Sequence, residues 1–557
     1  MILAPRHAPP VILLCLCLAL LVCCGCSNDD STAPSEDDPQ WIAPGSMTFR
    51  SQADVDLVHG LTAVHGNLVI GPSRDITDLS ALSSLRDVSG DLVVMENDSL
   101  VNLDGLSQLS SVGKDIFITA SPLVDDLVGL QGVRAARAIY VNDCPRLTSL
   151  AGFPVAENLE LVKLAKLPAL DSLSGMGEHP VLWKLDMSGL SATCDLEELA
   201  DLPDLPGLHE LGLEAMPGVR SLAWLRGYPS LSYLQISACD SVSSLEGLSG
   251  ATALMSLSLQ GLPRLATLTG LAGHPAIQSM WISSCAALAD FSDLGAMPRL
   301  RSLVLGQCPG VLDLSVLGAS ASTLEYLLVW QLDGLASLGG ADSLDQLRHL
   351  GVHDCDLLAS SAGLPALPAL EELSLYGCSR LTELGGLPPL PSLVTLTFFS
   401  CRGLTTLAGM PATPALATVS FTGLDGLSDL NGFPPVSPQA EISLTGCSNL
   451  TDLSGLENVT ACSILEIFAC ENLVTLGGLE HLAAINEELQ IDYNAALEDI
   501  SPLAPTMPII RVSITRNGAL NQCSALERIA TWPGVNVLTV SENGPCVPPG
   551  QATASLP

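Results

Sequence analysis

Nine histidines and 18 cysteines give this chain its obvious chemistry, and the first question is whether any of them stand together. His349 and His353, with Asp354 beside them, have the four-residue spacing at which a helix aims two imidazoles at one zinc ion. The stretch His349 to His353 instead alternates polar and apolar residues, as a strand does. Four residues of strand span ~13 Å, too far for two ligands that must each reach ~2 Å from a metal. Neither a metal nor a cofactor is expected there. GxSxG, HExxH, GxxxxGK[ST] and paired CxxC motifs are absent, so an enzyme is not expected either.

The remaining chemistry is that of rings. Phe117, Tyr140, Trp281, Trp330, His353, Tyr376, Phe399, Phe468 and Tyr493 all stand next to strand positions that should be buried, so they should point outward. Trp330, His353, Tyr376 and Phe399 recur every 23 residues and should form one exposed ladder. Trp281, Trp330, His353, Tyr376 and Phe399 are therefore the candidate ligand-binding residues, because exposed aromatic patches mark binding surfaces. The competing reading is cross-strand packing, since strands favour aromatics and neighbouring rings stabilise each other.

The ladder exists only because the chain repeats. Leu370 to Cys401 states the pattern LxxLxLxxCxxLxxLxGLxxxPx, and Leu373, Leu375 and Cys378 return as Leu396, Phe398 and Cys401. The second apolar strand position can be followed from Ile70 through Leu213, Leu305 and Leu375 to Val540, giving 21 units mostly 23 residues apart. One such strand cannot bury its apolar face alone, so successive coils must stack. The pattern resembles that of leucine-rich repeat proteins over roughly residues 55–545. The expected fold class is α/β: a curved leucine-rich repeat solenoid of about 21 coils with a parallel inner sheet and an outer side of turns and short helices. About 20 spacings of ~4.8 Å would give a sheet roughly 95 Å along its arc.

Three residues past each strand marker stand Cys144, Cys239, Cys285, Cys308, Cys355, Cys378, Cys401, Cys447 and Cys470, or Asn97, Asn494, Asn517 and Asn543. In a leucine-rich repeat this position turns inward, and a small polar side chain there satisfies backbone groups left open by the turn. Cβ atoms one strand spacing apart, ~4.8 Å, exceed the ~3.8 Å of a disulfide, so buried free thiols are expected. Cys194 has no obvious role.

Thirteen of the 20 segments between strands carry glycine eleven residues after the marker, often with proline five residues later. Long outer helices are thereby excluded. Between Met187 and Leu213 three extra residues, near 194–205, should lengthen an outer loop. The early units, with Val64, Val88 and Val112 ahead of their strands and a period near 24, resemble receptor L-domain repeats over roughly residues 55–135.

A formal charge of −37 argues against a polyanionic partner, and against nucleic acid in particular, since nucleic-acid binders carry basic stripes and this sequence has none. Residues 1–26, with Arg6 and His7 before an apolar core, read as an export signal. Gly25-Cys26 resembles the end of a bacterial lipoprotein signal, with Cys23 departing from the usual leucine; the resemblance implies lipidation of Cys26, an anchor in a membrane and, since Ser27 is not aspartate, the outer membrane. Residues 27–40 are an acidic tether that cannot build a core. A cap over 41–54 and the array over 55–545 follow, with a C-terminal cap from about 517 and a tail over 546–557. Cys523 and Cys546 are one coil apart, which looks like the disulfide-closed caps of extracellular leucine-rich repeat proteins; two buried thiols are the alternative. The function expected from all this is that of a lipid-anchored binding protein of the bacterial cell envelope, presenting its inner face to a protein or polysaccharide. A structural or adhesive envelope component is the rival.

Overall fold

A computed structural model describes residues 40–194, 196, 205–503, 509–544 and 554–555. Cys26 and Cys546 lie outside that set, as do the side chain of Cys523 and most of the 194–205 insertion.

Each repeat puts one short strand into a single parallel ladder that runs from Met47–Phe49 and Leu68–Ile70 to Arg511–Thr515 and Val537–Ser541. Within Glu372–Tyr376, Leu373 and Leu375 face the core and are buried, while Glu372 and Tyr376 face outward. The same alternation in every coil makes one continuous core of leucine, isoleucine and valine. Aromatic residues contribute locally, with Phe398 stacked on Phe421 at 5.2 Å. This is a leucine-rich repeat-like solenoid of about 21 turns, with few helices: the α-helices are Gln52–Asp56 and Cys523–Ile529 among the described residues.

One residue past nearly every strand the backbone turns left-handed, from Glu96 through Asp354 to Glu542 at φ of 48° to 64°. Its N–H continues the ladder, as in Asp354 N to Tyr376 O at 2.6 Å and Gly377 N to Phe399 O at 2.8 Å. The turn throws the very next residue into the core. There Cys378 Sγ donates toward the Val352 and Tyr376 carbonyls, both at 3.5 Å, and Cys401 Sγ toward Leu375 at 3.5 Å and Phe399 at 3.7 Å. All nine ladder cysteines are buried and reduced, as is Cys194. Asparagine makes the same bonds and one more: Asn494 Nδ2 donates to Ile467 O at 3.0 Å, and its Oδ1 accepts from Cys470 N at 2.9 Å.

Burial pushes the thiols of Cys144 and Cys355 up to about 11 from 9.0. A folded-state pKa above the unfolded value leaves stability intact below pH ~9 and removes it as pH rises toward 11, by roughly 2–3 kcal/mol per thiol. The denaturant midpoint is expected to fall steeply between pH 9 and pH 11. A flat midpoint across that interval would contradict burial of reduced thiols.

On the outer side, eleven of the recurring glycines have φ between 81° and 111°, a region closed to side chains. At Gly455 a Cβ would also run into the Leu430 carbonyl. Gly105 and Gly129 lack the positive φ but meet the Leu79 and Leu103 carbonyls of the preceding coil, so there closeness alone demands glycine.

At the N-terminus, Val64, Val88 and Val112 lie in short strands of their own, which with Trp41–Ala43 form a second, four-stranded parallel sheet. Helix Gln52–Asp56 starts at a capping box of Ser51 and Asp54. The insertion after Met187 leaves the ladder undisturbed, because Met187 still pairs with Leu213. At the far end Val537–Ser541 pairs antiparallel with Ala554–Ser555, which covers its open edge.

Candidate functional site

The open face of the sheet shows the first, third and fifth residue of each strand. From Ser256–Gln260 to Thr418–Thr422 there are eight successive strands and 24 such positions. Glu372 is the one carboxylate among them, and none is Lys or Arg. In a chain with 59 acidic residues, that face has been kept nearly free of charge. Serine, threonine and aromatic residues fill it instead.

Trp330, His353, Tyr376 and Phe399 stand in direct register on four neighbouring strands. The expected ladder is there, but its rings do not all behave alike. His353 stacks on Tyr376 at 4.2 Å, nearly parallel at 11°, and Tyr376 meets Phe399 edge-on at 5.8 Å. Phe399, at the end, is 48% exposed. Trp330 turns the other way and lies down over Gly306, its register partner, where any Cβ would collide with the indole. Gly351 plays a similar part beneath Leu328 and His353. Missing side chains on the sheet thus let large ones lie flat on it.

Trp281 is in the middle column, in register with Val304, Leu328 and Gly351. It is 43% exposed and donates Nε1–H to Ser283 Oγ at 3.1 Å. It stands two strands from Trp330, roughly 10 Å, with Val304 in register on the strand between them and Leu328 next in the same column. Tyr326, at the first position of the Trp330 strand, approaches the His349 ring at 6.0 Å. Val304, Leu328 and Tyr326 thus join the patch without having been singled out from sequence. Their signal was available, since each holds an outward strand position.

The two histidines do not converge. His349 Nδ1 lies 3.1 Å from Glu372, whereas His353 Nε2 lies 3.2 Å from the Ser374 hydroxyl. Burial under its neighbours lowers the pKa of His353, which keeps the ring neutral and able to stack at pH 7. Among the described residues no cluster of three or more His, Cys, Asp or Glu could hold a metal ion.

Other outward rings form separate groups. Phe468 and Tyr493 meet at 5.1 Å, and the Arg516 guanidinium covers Tyr493 at 4.7 Å. Phe117 and Tyr140 stack at 4.7 Å, far toward the N-terminus.

The fold and the face define a repeat solenoid whose open sheet face is nearly free of charge over eight strands. No protein-family model matches the chain, and no curated protein does. Among solved structures it is similar to one titled "Crystal structure of TLR13-ssRNA13 complex", with 14% identity over 89% of this chain and 94% of that one and a TM-score of 0.36. A likeness that weak lends no weight to any choice of ligand.

Proposed function

We propose that this protein is a lipid-anchored binding protein of the bacterial cell envelope that holds a protein or polysaccharide ligand on the open face of its sheet. The observation that carries the reading is the run of eight strands with one carboxylate, no cation and a patch built from Trp281, Tyr326, Trp330, Tyr376 and Phe399. Charge keeps a surface hydrated, so a nearly charge-free face with an aromatic patch on a −37 chain is suited to being covered. Nucleic acid fits it badly, because nothing there would neutralise phosphates. The test is capture of envelope material on immobilised wild type beside a variant carrying Trp330→Ser, Tyr376→Ser and Phe399→Ser. Equal recovery of the same species by both proteins would contradict the proposal.

A structural or adhesive role without a discrete ligand draws support from the His353 and Tyr376 stack at 4.2 Å, which cross-strand packing alone would produce. Trp330 and Trp281 favour binding over that reading, since neither stacks on another ring among the described residues.

Anchoring through Cys26 rests on the signal-like residues 1–26 and the Gly25-Cys26 pair. Cys26→Ala is expected to release the protein from membranes or to stop its maturation. A variant that stays membrane-bound and is processed normally would remove the anchor, and the outer-membrane location with it.

A further inference from the structure

The chain has four lysines, and three of them, Lys163, Lys166 and Lys184, lie on two adjacent strands, Leu161–Leu167 and Lys184–Leu190. Lys184 is occupied, with Glu210 at 3.2 Å and Asp186 at 3.7 Å. Lys163 and Lys166 are exposed and make no ion pair among the described residues. Asp186, the in-register neighbour of Lys163, is drawn to Lys184 instead. Two uncompensated cations side by side are conspicuous on a protein of charge −37.

Beside them stands the Phe117 and Tyr140 pair, its rings 3° from parallel. Tyr140 is in register with Phe117 on one side and Lys163 on the other. Its ring face away from Phe117 is therefore turned toward the lysine strand. Arg137, just before the Tyr140 strand, is already held by both carboxylate oxygens of Asp115, at 2.7 and 2.9 Å. Ala165, small and in register with Asn142, leaves a depression of about 360 Å³ bordered by Phe117, Tyr140, Asn142, Lys163, Lys166 and Ser188.

We infer that this depression is a second binding site, for an acidic polysaccharide. A pyranose ring packs its C–H face on Tyr140, its carboxylate lies between the Lys163 and Lys166 ammonium groups, and Asn142 and Ser188 meet its hydroxyls. Charge complementarity selects the anion, and the ring selects a flat-faced carrier of it. The inference does not rest on the aromatic ladder, which lies strands away toward the C-terminus.

Titration calorimetry of the full chain at low salt tests it, with tetragalacturonate, its methyl ester and inorganic phosphate as probes. Tetragalacturonate is expected to bind, the uncharged ester at least tenfold more weakly, and phosphate without saturation. Lys163→Gln with Lys166→Gln is expected to weaken tetragalacturonate at least tenfold, and both sites are exposed, so the fold is kept. The Trp330, Tyr376 and Phe399 serine variant should bind it like wild type, which separates this site from the ladder. Absence of tetragalacturonate binding by wild type overturns the inference. So does equal binding of the ester, full competition by phosphate, or wild-type affinity in the double lysine variant.

Discussion

Asn494→Ala is expected to destabilise the C-terminal coils by roughly 3–5 kcal/mol, well above the loss from a cysteine substitution on the inward ladder. Asn494 is fully buried, and its amide spans two coils. Removing it strands the Cys470 N–H, bound at 2.9 Å, and the carbonyls of Ile467 and Asp492, bound at 3.0 and 3.2 Å. It also takes away a donor to Asn517 Oδ1 at 3.2 Å. Buried polar groups left without partners cost ~1–3 kcal/mol each. Cys378→Ala removes only weak S–H bonds at 3.5 Å and is expected to cost about 1 kcal/mol. Amide hydrogen exchange reads both, because a solenoid opens coil by coil. Equal losses in the two variants would show that the asparagine network contributes nothing beyond filling space.

The second large effect is on binding. Serine at Trp330, Tyr376 and Phe399 together is expected to weaken ligand capture at least a hundredfold, since each anchor ring contributes more than ~1 kcal/mol and 1.4 kcal/mol is tenfold. The fold should survive. The three rings lie on the solvent side of the sheet, and the core residues Leu373, Leu375, Leu396 and Phe398 beneath them are untouched. Circular dichroism and the denaturant midpoint should therefore match wild type while affinity falls. Loss of both together would return the rings to a packing role.

Repetition is what made most of this legible. Because Leu375 and Phe398 are equivalent by spacing, the register of Trp330, His353, Tyr376 and Phe399 followed from counting, as did the inward place of Cys378 and Asn494. What counting could not supply was the direction in which each ring leans. Trp330 and His353 share a column, yet the bare backbone at Gly306 draws the indole back, while Tyr376 draws the imidazole forward. That choice depends on the side chains of three strands at once. The left-handed residue after each strand was also hidden, because Glu96, Asp354 and Arg516 occupy it as readily as glycine does. Its conformation is imposed by the ladder bond and not by residue type. The lysine site was hidden for another reason: Lys163 and Lys184 look alike in sequence, and only the positions of Asp186 and Glu210 leave one of them free.

Side-chain footprinting by hydroxyl radicals, with and without captured envelope ligand, reads which rings the ligand covers. Trp281, Tyr326, Trp330, Tyr376 and Phe399 are expected to lose reactivity when ligand is bound, while the exposed Trp41 and Trp183, which stand off the patch, keep theirs. Protection of Trp41 or Trp183 with the five patch residues unchanged would show that the ligand sits elsewhere and that the aromatic face is not the binding surface.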